Sequence, residues 1–174
     1  MAETGARNAR ALAARVIDRI NTVASVICYG LLSAITAVTA LQVFLRYLLN
    51  RPTSWSEEAA LLMLIWFGML AIAIGIRRNE HLAITFLRDM LPHPLARALD
   101  YGAQIGMAVF MLVVMWFGRD LLALAGAQMM PASRLPKAWL YFPALVGGAL
   151  GVVNAVANIA LRQVPAGAHD TLES

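Results

Sequence analysis

The sequence predicts an all-α membrane protein of four transmembrane helices with short interfacial helices, and three observations carry that prediction. Hydrophobic residues make up 60% of the 174 residues and charged residues 14%, far from the roughly 45–50% and 25% of soluble domains. Most apolar residues lie in four long uncharged runs rather than in periodic stripes, and a soluble fold of this length could not hide so much apolar surface. No alternating barrel pattern is present, and inside lipid a backbone that must satisfy its own hydrogen bonds leaves the helix as the conformation for such runs.

The first run is uncharged from Ile20 to Leu45. It is longer than the roughly 7 to 15 residues of a cleaved signal's core, so it is expected to remain as an anchor although Arg7, Arg10, Arg15 and Arg19 precede it. Residues 1–19 are expected to form a cytoplasmic amphipathic segment. Leu12, Val16, Ile17 and Ile20 recur there at helical spacing opposite Arg7, Arg15 and Asp18, the pattern of a helix lying on the inner leaflet, with Arg19 snorkelling.

The remaining runs are Ala59 to Ile76, Tyr101 to Gly118 and Ala138 to Leu161. Even the shorter ones, about 18 residues at ~1.5 Å each, reach ~27 Å, close to the ~30 Å hydrocarbon thickness. The membrane domain thus covers 20–162, with spans at about 20–45, 59–76, 101–118 and 138–161, and a polar tail, 163–174, follows. Between the second and third runs, Leu82, Ala83, Phe86, Leu87 and Met90 share one side of a short helix opposite Thr85, Arg88 and Asp89, and Pro92 and Pro94 stop it. A place at the membrane surface or against protein suits it equally.

The formal charge is +4, but the basic residues fall between the apolar runs rather than in one patch, so they read as topology signals and not as a nucleic-acid surface. Nine Lys and Arg fall on the side holding both termini and five on the other, which places both termini in the cytoplasm.

The most structured polar sequence is Arg46 to Glu58. Asn50 and Pro52 favour a turn, and Ser54 and Glu57 stand at capping-box spacing, so the second helix is expected to start there. Glu57 and Glu58 complement the positive end of its dipole, and Trp55 suits the headgroup level. These features serve helix initiation without any further function. Equally, cationic Arg46, Trp55 and two carboxylates at one membrane surface form a docking point for a partner protein or a lipid headgroup.

Taken together, Arg46-Tyr47, Asn50, Pro52, Trp55, Glu57-Glu58, Trp66 and Arg77-Arg78 with Glu80-His81 resemble the small membrane subunit, DctQ type, of tripartite ATP-independent periplasmic (TRAP) transporters. The likeness runs from Leu41 to Leu87, and more loosely through Pro136, Tyr141 and Gly147. It implies a four-helix accessory subunit in a bacterial inner membrane. Its partners would be a larger transporting membrane subunit on a separate chain, which carries solute and sodium, a periplasmic solute-binding protein, and phospholipids. On that resemblance Arg46, Asn50, Trp55, Glu57, Glu58, Trp66, Arg77 and His81 are candidate partner- or lipid-interface residues. The solute it implies is an organic acid.

Gly102 with Gly106 and Gly147 with Gly151 have the four-residue spacing that lets helices approach closely, within this chain or against the larger subunit. His81, His93 and His169 lie outside the runs, so no histidine pair can hold a haem between helices. Asp100 and Asp120 flank the third run beside Arg97 and Arg119 as ordinary helix-end charges. No phosphate-binding loop, catalytic triad or buried carboxylate pair is written in the sequence, and no catalytic residue, cofactor, metal or nucleic acid is expected. A stand-alone homodimeric efflux carrier would need a carboxylate deep within a span, whereas Glu57 and Glu58 sit at an edge. A four-helix redox enzyme would need cysteine pairs or intramembrane histidines, and the one cysteine is Cys28.

Overall fold

The computed structural model describes residues 2–48, 53–78 and 92–161. Within them lie four helices, α1 (Ala2–Leu48), α2 (Ser54–Arg78), α3 (His93–Ala125) and α4 (Ala138–Ala160). All four are long and apolar enough to cross a membrane, and the protein is a multi-pass membrane protein.

Helix α1 has 47 residues and at ~1.5 Å per residue is ~70 Å long, more than twice the ~30 Å hydrocarbon core. The amphipathic stretch Ala9 to Ile20 is its leading part, continuous with the first span rather than a separate element. No proline or glycine falls between residues 6 and 29 to interrupt it. Leu12, Val16 and Ile20 remain uncovered by the rest of the chain.

Helix α2 begins at Ser54, where the sequence places it, but the expected capping box is shifted. Thr53 holds the N-cap position: its carbonyl accepts from the Ser56 amide at 3.3 Å and the Ser56 hydroxyl at 2.6 Å, and the two hydroxyls lie 2.8 Å apart. Glu57 turns instead toward α1, accepting from Gln42 at 3.1 Å. The Thr53 and Ser56 hydroxyls thus bond at the helix start, and Glu57 does not reach back to it as a capping box would require.

Helix α3 runs well past both ends of the uncharged window Tyr101 to Gly118. Pro92 precedes it and a proline occupies its first turn, where a missing N–H costs nothing. The helix closes at Gly126, whose amide donates to the Leu122 carbonyl at 3.0 Å. The short helix expected over Leu82 to Met90 lies outside the described residues.

The helices pack in the order α1, α2, α4, α3, so that α4 touches both α2 and α3 while α1 rests on α2 and scarcely meets α4. The result is an open row rather than a closed ring. Between α1 and α2 lie Ala24, Cys28, Leu70 and Ile74; Ile76, Met111 and Ala155 join α2, α3 and α4. Small residues let α4 in. A Cβ on Gly147 would sit 2.8 Å from both the Cβ and the carbonyl oxygen of Met69, and one on Gly151 2.9 Å from Met111 Cγ. Gly102 and Gly106 have open space around them on the outward side of α3.

Candidate functional site

Two polar clusters, one at each end of α2, tie the helices together, and of the residues singled out from the sequence Arg77 belongs to one and Glu57 and Glu58 to the other. At the Arg77 end, α1 contributes Asp18 and Asn21 and α4 contributes Asn154 and Asn158. Each pair is about one helical turn apart and so shares a face. Asn21 and Asn154 are 6% and 0% exposed and their amides pair reciprocally, Nδ2 to Oδ1, at 2.7 and 2.8 Å. The second N–H of Asn21 goes to the Ile17 carbonyl at 2.9 Å and that of Asn154 to the Ala73 carbonyl of α2 at 2.8 Å. All four N–H donors are therefore used, as a site beyond the reach of water requires.

One turn further along α4, Asn158 donates to the Ile76 carbonyl at 2.8 Å. That bond ties α4 to the backbone of the last described turn of α2. Arg77 donates from Nη1 to Asn158 Oδ1 at 2.7 Å, and from Nε and Nη2 to Asp18 Oδ1 at 2.9 and 2.7 Å. Its side chain is only 8% exposed against 57% for Asp18. Expected as an interface residue, Arg77 is committed inside the chain, where its charge also complements the negative end of the α2 dipole.

At the other end of α2, Glu57 and Glu58 point in different directions because adjacent helical residues are about 100° apart. Glu57 meets Gln42 of α1. Glu58 reaches the loop between α3 and α4, its two oxygens accepting from the Ala132 amide at 2.9 Å and the Ser133 amide at 2.7 Å. That loop is a small folded unit. Met130 N–H donates to Leu135 at 2.8 Å and Lys137 N–H to Gln128 at 2.8 Å, Met129 and Pro136 form an isolated bridge, and Arg134 turns the chain with φ of 55°.

Of the expected docking group of Arg46, Trp55 and two carboxylates, the carboxylates tie α2 to its neighbours on either side. Trp55 stays 47% exposed, and the Arg46 guanidinium lies 6.0 Å from the ring centroid of Tyr47 beside it. Trp66 lies midway along α2, its ring 6.3 Å from that of Phe142 on α4, within the helix packing. Asn50 and His81 lie outside the described residues. Asp120 pairs with the adjacent Arg119 at 3.2 Å, whose guanidinium also stands 4.3 Å above the Trp116 ring.

Asn21, Asn154 and Asn158 are absent from the residues the sequence singled out. Their signal was present, since asparagines four apart interrupt the fourth apolar run and another opens the first, but a search for charge alone passes over amides. Among the described residues no three side chains suited to a metal ion converge.

Residues 35–164 match the family described as the DctQ component of tripartite ATP-independent periplasmic transporters. The chain is 29% identical over 140 residues to the sialic acid TRAP transporter small permease protein SiaQ of Vibrio cholerae, covering 80% of this chain and 81% of that protein. It is 26% identical over 132 residues to a putative TRAP transporter small permease protein of Haemophilus influenzae, covering 75% and 81%. A third match, 31% identical over 85 residues, covers 49% of this chain but 14% of the sialic acid TRAP transporter permease protein SiaT of Haemophilus influenzae.

Proposed function

The chain belongs to the DctQ component family of tripartite ATP-independent periplasmic transporters, and from that membership we propose that it is the accessory, scaffolding subunit of a sodium-coupled importer. It is a transporter membrane subunit and not an enzyme. In this reading a larger membrane subunit carries the solute, a periplasmic binding protein delivers it, and this chain holds the larger subunit in the bacterial inner membrane.

The observation that carries the reading is how the buried amides are used. Asn21 and Asn154 spend every N–H on α1, α2 and each other, and Arg77 is taken by Asp18 and Asn158. These groups fix the helices to one another, which supports a scaffolding role over that of a solute path. The open row meanwhile leaves broad apolar faces, with Val109, Phe110 and Phe117 of α3 among the exposed residues. Bilayer or a larger protein would cover them equally well, and the match to a short part of a much longer permease supports the protein.

The excess of Lys and Arg on their side supports both termini in the cytoplasm, an orientation that turns Trp55, Glu57 and Glu58 toward the periplasm. An organic acid is supported as solute by two relatives, one named for sialic acid and one, a small permease protein of Vibrio cholerae, for C4-dicarboxylate. The test is to tag the chain, extract it in mild detergent and weigh what accompanies it. A larger multi-span protein at one-to-one stoichiometry is expected. A homodimer that moves solute in liposomes by itself would replace this reading with that of a small carrier.

A further inference from the structure

We propose that the furrow between α1 and α2 at the Arg78 end is a binding site for one anionic phospholipid, its acyl chain in the furrow and its phosphate at Arg78. The proposal requires only that the chain spans a bilayer and does not depend on the transport reading above.

The furrow encloses about 230 Å³. Ser25, Tyr29 and Leu32 of α1 line it, with Phe67, Ala71 and Gly75 of α2, the last two one turn apart. A Cβ on Gly75 would meet nothing within 4 Å, so a small residue leaves room there that no described part of the chain fills. From Phe67 to Arg78 the furrow follows α2 for roughly 16 Å at ~1.5 Å per residue, about half the ~30 Å hydrocarbon thickness and hence the depth of one leaflet. That volume spread over that length suits a slender acyl chain and not a helix about 10 Å across.

The headgroup class follows from charge. Arg78 lines the mouth at the end of α2, where a guanidinium can meet phosphate bidentately. The neighbouring described residues of α1 and α2 add Arg15, Arg19 and Arg77 against Asp18 alone, and Asp18 is paired with Arg77. Among the described residues this end of the α1–α2 pair is cationic, which favours phosphatidylglycerol over a zwitterionic lipid with the same chains.

The test is native mass spectrometry of the full-length chain, extracted with whatever membrane partners accompany it and supplied with phosphatidylglycerol or phosphatidylcholine of matched acyl chains. The wild type should retain one phosphatidylglycerol preferentially. Gly75→Leu, which fills the furrow, should lose it, and Arg78→Gln should cut the preference about fivefold, the equivalent of about 1 kcal/mol for one cation near an anionic surface. Should Gly75→Leu not assemble, Arg78→Gln decides, since its exposed side chain permits a folded variant. Equal lipid retention by wild type and Gly75→Leu, or an unchanged preference in Arg78→Gln, overturns the proposal. So does a Gly75→Leu protein that keeps its lipid but sheds a larger membrane protein, because the furrow would then be a protein contact.

Discussion

Replacing Asn154 by leucine keeps the number of side-chain heavy atoms while deleting three hydrogen bonds from a place with no measurable exposure. Interhelical hydrogen bonds in a bilayer average about 0.6 kcal/mol each, so the three together contribute about 2 kcal/mol. Asn21 keeps its bond to Ile17, but its carbonyl oxygen loses its donor, and a stranded buried acceptor adds about 1 kcal/mol or more. Asn154→Leu should therefore cost about 3 kcal/mol. Asn21→Leu should cost about 2 to 3 kcal/mol by the same reasoning. Because the double variant strands neither amide, it should be no less stable than either single one, giving a coupling of at least about 3 kcal/mol. Unfolding in mixed micelles of rising dodecyl sulfate content, followed by helical circular dichroism, reads all three. Additive effects below about 0.5 kcal/mol each, the size of ordinary surface substitutions, would refute the amide pair as the joint between α1 and α4.

Gly147→Ala places a Cβ 2.8 Å from Met69 backbone and should destabilise by about 1 to 3 kcal/mol. Gly102→Ala, with open space around it, should stay within about 0.5 kcal/mol in the same assay. Asp18→Ala leaves Arg77 its bond to Asn158 and partial access to water, so a loss of about 1 to 2 kcal/mol is expected, smaller than for Asn154→Leu. Glu58→Gln offers one carbonyl oxygen where the carboxylate offered two. One of the amides of Ala132 and Ser133 should then lose its acceptor, and its hydrogen exchange should quicken about tenfold. Unchanged exchange at both would detach Glu58 from the loop.

The number of spans was legible because lipid forces long apolar runs, and the four runs correspond to the four helices. Their ends were not, because an uncharged window marks the hydrocarbon depth whereas a helix stops where its backbone is capped. Hence α3 starts at His93 behind Pro92 rather than at Tyr101, and α1 passes through Arg15, Asp18 and Arg19 without a break. The glycine pairs show a second limit. Gly102/Gly106 and Gly147/Gly151 have identical spacing, yet one pair faces outward and the other receives Met69 and Met111, since spacing reveals a smooth face but not what rests on it. Arg77 shows a third. Its partner Asp18 is 59 residues away, a pairing that only the packing of α1 on α2 creates. The Glu57-Glu58 pair was visible as two carboxylates at a helix start, but their divergence toward Gln42 and the Ala132–Ser133 amides depends on which neighbours flank α2.

On the proposed reading this chain supports transport without conducting it. Liposomes bearing a sodium gradient and supplied with the binding protein and its solute would be loaded with this chain alone, with the larger membrane subunit alone, or with both. Uptake is predicted only where both are present, and none from this chain alone. Solute accumulation in liposomes holding this chain as the sole membrane protein would contradict the account.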